Sequence, residues 1–310
     1  MTAFPDWRRR LDDFLSLLGG DSTDRQEFVA ANSGTVARAL TGLPGVGGSP
    51  SSGVGGCVVV NMSSAHIPAL TKNGARYKNC YDLDDETRVG ETPPRTSEKR
   101  QMVDAALTPL HGKAAAEIYF AAVEFNGCGV GFYGDHCMVL RDDITKPDSD
   151  IVVLDRNSYD LIREPLASQI NDAARNLGVT EKQAREDEAR EHAGLLKDHL
   201  AEIAAIKVLE ARTPVLRLLT TGAVSEGILD DEDYLEVLRP DSFGIGDLAE
   251  VRLAPADVAL DERVRSRSVI GRPPAQAETV WRKRRRAAEE RLVALGVPVR
   301  VVTTAGRTKG

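Results

Sequence analysis

Residues Glu117 to Arg141, EIYFAAVEFNGCGVGFYGDHCMVLR, constrain the fold more than any other stretch. Ile118 to Phe125 and Cys137 to Leu140 are rich enough in β-branched and aromatic residues to be buried strands. Between them, Asn126 to Gly134 holds four glycines, which neither a strand nor a helix favours. The pattern is strand, loop, strand. Because the loop also carries Asn126, Cys128, Tyr133, Asp135, His136 and Cys137, it fits the rim of a ligand site. It equally fits a long hairpin whose glycines supply positive φ.

Upstream, CVVVNM (Cys57 to Met62) reads as a short buried strand. Ser63 or Ser64 then caps a helical turn through His66, Ile67 and Leu70 that stops at Asn73-Gly74. The stretch ARYKNCYDLDDETRVGETPPRTSEKR is polar and proline-interrupted and reads as a long exposed loop carrying Tyr77, Lys78, Asn79 and Tyr81. Downstream, Ile151 to Leu154, Val215 to Leu219, Tyr234 to Leu238 and Ala249 to Leu253 read as further strands, with TTGAVSEGILDDED an acidic loop. Helix signals cluster after Pro165. Thr180 and Gln183 make a capping box for a charged helix running to about Ala211, with Leu196, Leu200, Ile203 and Ile206 as its apolar stripe.

Helices that do not alternate with strands predict an α+β fold: a mixed, mainly antiparallel β core with peripheral helices and a long helical insertion over residues 166–211. At 310 residues the chain can bury an ample core. The N-terminal residues 1–45 read as helical. Leu11, Phe14, Leu15 and Leu18 are spaced for an amphipathic helix that Gly19 and Gly20 stop, and a second helix lies around Asp24 to Leu40. The Gly, Ser and Pro run from Thr41 to Gly56 is a linker that opens a catalytic-like domain over 46–260. No apolar run approaches the ~20 residues of a membrane span, and Asp12 and Asp13 interrupt the apolar patch a signal peptide needs. A cytoplasmic protein with no membrane partner is expected. Four cysteines without a C-x-x-C pair suit a reducing compartment and predict no metal.

The segment 261–310 differs in charge. From Arg263 to Arg286 nine Lys or Arg stand against Glu278 alone, a charge of +8 that leaves −15 on the rest of a chain whose total is −7. Such asymmetry predicts a basic arm for nucleic acid, with Arg282, Lys283, Arg284, Arg285 and Arg286 as contacts and Trp281 able to stack on a base. The same arginines could instead pair with the acidic body.

Glu236 lies in LDDEDYLEVLRPD with Glu232 and Asp233 nearby, and clustered carboxylates of this kind can serve as acid, base or hydrogen-bond acceptor. Three segments together resemble the ADP-ribosyltransferase superfamily: CVVVNMSSAHIPALTKNG its first element, EIYFAAVEFNG its second, and DYLEVLRPD its third. The third is similar to the segment of DNA-modifying ADP-ribosylating toxins from toxin–antitoxin pairs. The resemblance implies an NAD-consuming transferase with Glu236 and His66 catalytic. It also implies that Asn61 holds the adenosine side or the ribose, that Tyr77 and Tyr119 sandwich nicotinamide, and that Tyr133 lines the pocket. NAD would be a substrate, and an antitoxin or regulatory protein is the implied partner. Tyr234 stands where the family usually has Gln or Glu, which suits a nucleic-acid or other non-arginine acceptor; the acceptor is a DNA base, an RNA group or a protein side chain, and the basic segment favours nucleic acid. The rival readings are a non-catalytic nucleic-acid-binding or regulatory protein and a metal-dependent nuclease or hydrolase using Asp135 and His136.

Overall fold

A computed structural model describes residues 4–17, 57–87, 97–125, 127–141, 151–212, 227–230, 232–269 and 274–302. The expected helix around Asp24 to Leu40, the Thr41 to Gly56 linker and the Val215 to Leu219 strand lie outside them. The fold is α+β, built on one mostly antiparallel sheet with helices on both faces. Its strands are β1 (Cys57–Met62), β2 (Tyr119–Glu124), β3 (His136–Leu140), β4 (Val152–Leu154), β5 (Ala193–Leu195), β6 (Glu236–Arg239), β7 (Leu248–Leu253) and β8 (Val299–Val301). They lie in the order β5-β4-β6-β2-β1-β3-β7-β8, and only β7 and β8 run parallel.

Strand alternation sorts the core into two layers. Val152, Leu154 and Leu238 pack with Val103, Leu107, Leu161 and Ile170, so one face lies under α4 (Glu98–His111), α5 (Leu166–Leu177) and α6 (Glu181–Glu191). Their neighbours Val153 and Val237 point the other way and join the cluster of Trp7, Leu200, Ile203, Ala288 and Leu292. These come from α1 (Trp7–Leu17), α7 (Leu196–Arg212) and α9 (Gln276–Ala294). Burial from both sides explains why the central strands read as unbroken apolar runs rather than alternating ones.

Three expectations need correction. The helix expected from Thr180 to Ala211 is broken. Thr180 caps α6 as the sequence implies, but the chain leaves the helix at His192, adds β5 to the edge of β4, and only then enters α7. Tertiary contacts outweigh helix propensity here. Trp7 Nε1 donates to Ala193 O at 2.9 Å, and a Cβ on Gly194 would meet Trp7, His199 and Ile203 at 2.9–3.0 Å.

The stretch read as an exposed loop contains α3 (Cys80–Thr87), and α4 begins at its end. Asn79 starts α3 by accepting from Asp82 N, and its amide donates to Ala116 O and Ile118 O, which buries it.

The basic segment is no detached arm. Its described residues form α8 (Pro255–Val269) and α9, followed by β8. Ala288 and Leu292 are wholly buried, Arg285 is buried beside Glu289, and Arg282 and Arg286 pair with the buried Asp261. Its cations thus serve largely as internal partners for acids of the same helices. Among the described residues no helix is long and apolar enough to cross a membrane.

Candidate active site

The glycine loop is not a hairpin. β2 and β3 each pair with β1 and not with each other, so the loop joining them must cross over the face of β1. This crossing sets its chemistry. Asn61 on β1 donates to Cys128 O (2.9 Å) and Gly134 O (3.1 Å) and accepts from Val130 N (2.9 Å). Glu124, fully buried, accepts from Phe125 N and Gly129 N, and Arg252 on β7 donates to Phe125 O and Gly127 O. Gly129 sits at φ +69°, where a Cβ would lie 2.1 Å from Asn61 Oδ1. Close approach, not flexibility, is what this glycine provides.

Glu236 begins β6 opposite Ala122 of β2, which is in turn opposite Val59 of β1. Its side chain faces the α4 layer and is 2% exposed. Ser158 N donates to Glu236 Oε2 at 2.8 Å from the first residue of a 3-10 turn, Ser158–Ile162. Asn157 caps that turn and donates to Glu232 O, tying the turn to the segment leading into β6. Burial raises the Glu236 pKa, and the nearby Arg100 charge and the Ser158 N–H oppose the rise.

Arg100, on the first turn of α4, lies 3.7 Å over the Phe120 ring and 5.5 Å from that of Tyr159. It pairs with Asp104, which also accepts from Tyr81 Oη at 2.6 Å. Burial disfavours its charge, but Asp104 and Glu236 outweigh that and hold it cationic. Arg100 Nε is buried and makes no hydrogen bond. On the loop side, Tyr133 Oη and Tyr234 Oη are 3.1 Å apart, and burial, followed by the charge of Glu236, pushes the Tyr234 phenol far up. A buried carboxylate beside an arginine and ringed by Phe120, Tyr133, Tyr159 and Tyr234 can accept a hydrogen bond or stabilise a cation.

The sequence-derived residues divide between this cluster and other places. Tyr133 belongs to the cluster. Asn61 does not line it with a free amide, since its side chain is spent on the crossing loop. Tyr119 is three residues from Ala122 and therefore on the opposite face of the sheet from Glu236. Tyr77 stacks on Phe243 with centroids 4.7 Å apart, and it meets Tyr119 at 6.3 Å and 60°, which leaves no parallel slot between the two tyrosines for a ring. Burial pushes the Tyr77 phenol up to about 12. His66 is exposed at the N-cap of α2 (Ile67–Leu70), beyond the end of β1. The level of Glu236 is Val59, three residues before that end and about 10 Å along the strand.

Asp135 serves structure. It accepts from Ser64 N (2.7 Å), Trp281 Nε1 (3.0 Å) and the His136 ring (3.1 Å). Burial opposes its ionisation, but His136 and Ser64 prevail and bring its pKa down to about 2. Arg100, Asp104 and Ser158 escaped sequence reasoning because they stand in unremarkable helix and turn contexts far along the chain from Glu236. The one available signal was Ser97, a good N-cap that places Arg100 in a helix's first turn. No protein-family model matches this chain, nor does any curated protein or solved structure.

Proposed function

We propose that this chain is an NAD-consuming ADP-ribosyltransferase that modifies nucleic acid, with Glu236 as its catalytic carboxylate. One observation carries the reading: the three segments that resemble the transferase superfamily occupy β1, β2 and β6, which are neighbours in the sheet in the order β6-β2-β1. They are separated by long stretches of sequence, and Glu236 opens the third beside the partly buried Arg100.

In this reading Glu236 accepts a hydrogen bond from the nicotinamide-ribose 2′-hydroxyl and stabilises the oxocarbenium character that develops as nicotinamide leaves. Arg100 opposes the rise that burial imposes on the Glu236 pKa, and Ser158 N–H fixes the carboxylate's orientation. Because Glu236 is almost fully enclosed, the substrate enters only when a neighbour moves. Tyr133, half exposed and joined to Tyr234 through its hydroxyl, is the side chain suited to do so.

Incubation of the full chain with NAD and a nucleic-acid acceptor should release nicotinamide. Glu236→Gln should lower that rate by about 10²–10³ while leaving the melting temperature nearly unchanged, because the amide oxygen still accepts from Ser158 N. An equally active, equally stable Glu236→Gln protein refutes the assignment.

A further inference from the structure

Phe132 is 75% exposed and Tyr133 48% exposed, and their rings meet edge to face at 5.3 Å. Exposed aromatics on a loose tip would mean little, but the turn bearing these two, Gly131–Tyr133, is fixed from beneath. A Cβ on Gly134 would lie 2.1 Å from the Met62 carbonyl carbon, so the turn is seated against the end of β1. Asn61 binds Gly134 O, and Asp135 takes the Ser64 N–H. The backbone that presents a large apolar ring to solvent is therefore held in one place, with its ordering entropy already spent in folding.

The same turn touches α9. Trp281 Nε1 donates to Asp135 Oδ2 at 3.0 Å, one residue beyond Gly134. Arg284, three residues further on, shares that side of the helix. While Arg282 and Arg286 are held by Asp261 and Arg285 is buried, Lys283 and Arg284 are exposed. Lys283, two residues from Trp281, faces away from the turn, but an exposed aromatic pair with the exposed Arg284 on the same side has the composition of a surface for unpaired bases: each base offers a face to stack, and each phosphate a charge to neutralise. A duplex keeps its base faces covered and offers only the phosphates.

We propose that this rim binds single-stranded nucleic acid, with a base stacked on Phe132, Tyr133 at its edge, and Arg284 on an adjoining phosphate. The site lies beside Glu236 through the Tyr133–Tyr234 contact, and it rests on the transferase reading only for what becomes of the bound strand.

The test is fluorescence anisotropy of the full chain with a labelled oligothymidylate of about twelve nucleotides, against a duplex of the same length. The parent should bind the single strand more tightly than the duplex. Phe132→Ala should weaken binding about tenfold or more, and Phe132→Trp should preserve it. Arg284→Gln should reduce the slope of log affinity against log salt by about 0.7. Because both side chains are exposed, thermal melts should be unchanged. No binding by the parent, unchanged affinity in Phe132→Ala, or a preference for duplex each overturns the proposal. Nicotinamide release separates the two readings. Release without strand binding removes only this surface, and strand binding without release removes only the transferase.

Discussion

Gly129→Ala tests whether the glycine loop is a built support or a loose connection. Gly112, Gly178 and Gly129 share nearly the same backbone, φ +66°, +68° and +69°, so alanine meets the same left-handed penalty of about 1 kcal/mol at each. Their surroundings differ. At Gly112 and Gly178 no atom lies within 4 Å of the added carbon, whereas at Gly129 it would stand 2.1 Å from Asn61 Oδ1 and 3.1 Å from Cys137 Sγ. Asn61 must rotate away and surrender its three hydrogen bonds to the loop, each worth about 1 kcal/mol net. The total is about 4 kcal/mol for Gly129→Ala against about 1 kcal/mol for Gly112→Ala and Gly178→Ala.

Urea unfolding of the three variants measures the difference. With a slope of about 3 kcal/mol/M, the Gly129→Ala midpoint should fall about 1 M below those of the other two. In an Asn61→Ala background the contact with Oδ1 is gone and only the 3.1 Å approach to Cys137 Sγ remains, so Gly129→Ala should then cost little beyond its backbone term, a coupling of about 3 kcal/mol. If Gly129→Ala is no worse than Gly112→Ala, or if the two changes at Asn61 and Gly129 add, the loop is not clamped as argued. The fixed position of the turn that bears Phe132 and Tyr133 would then lose its basis.

Three further outcomes follow from the packing and charge. Leu292→Ala in α9 should cost about 2–5 kcal/mol because the side chain is wholly buried against the sheet, while Val293→Ala, 60% exposed, should be near neutral; equal effects in thermal melts would return the segment to a detached arm. His192 bridges Asp155 and Glu188 at 3.0 Å each, beside Arg156; burial opposes its protonation, but the two carboxylates prevail and raise its pKa, while Asp155 and Glu188 are themselves lowered. The raised imidazole stabilises the fold below its ordinary 6.5 and loses that effect as pH rises through its folded value, whereas the lowered carboxylates stabilise above about 4.5 and lose theirs as pH falls. Cluster stability should therefore peak between about pH 4.5 and 6.5, and unfolding midpoints of His192→Gln should not decline on the alkaline side of that window. Arg100→Met removes the charge that holds the Glu236 pKa down, so the acid limb of nicotinamide release should move to higher pH; a slower enzyme with an unmoved limb would give Arg100 a merely structural part.

What was legible from sequence follows from how far each signal reaches. β1, β2 and β3 were evident because apolar, β-branched runs and glycines are local facts, and Glu236 stood out among acids close in sequence. The crossing of β1 was not evident, since nothing in Asn126 to Gly134 distinguishes a loop returning to its neighbour from one passing over a third strand. The break at His192 was hidden by a pattern that suits one helix on both sides. Its cause, the pairing of β5 with β4 and the bond from Trp7, comes from residues distant in the chain. The basic run was read as an arm because net charge does not say where the counter-charges are. Asp261 lies two residues before the run, and it takes two of the five arginine and lysine contacts that had been assigned to nucleic acid.

The electrostatics around Glu236 also set what kind of ligand the site would favour. Asp104 and Glu236 are both buried carboxylates, 3% and 2% exposed, and Arg100 is the cation both face. Asp104 holds Arg100 by a direct bond and is further satisfied by Tyr81, so Glu236 shares the arginine's field without owning a bond to it. The cluster is thus one positive charge short, which is why burial still raises the Glu236 pKa with an arginine nearby. A neutral ligand would leave that imbalance in place, and an anion would deepen it. A group that is cationic on arrival, such as the pyridinium of NAD, or that becomes cationic as a glycosidic bond breaks, supplies the missing charge where water is largely excluded. The gain grows as charge develops on the ribose, so it acts on the transition state more than on binding.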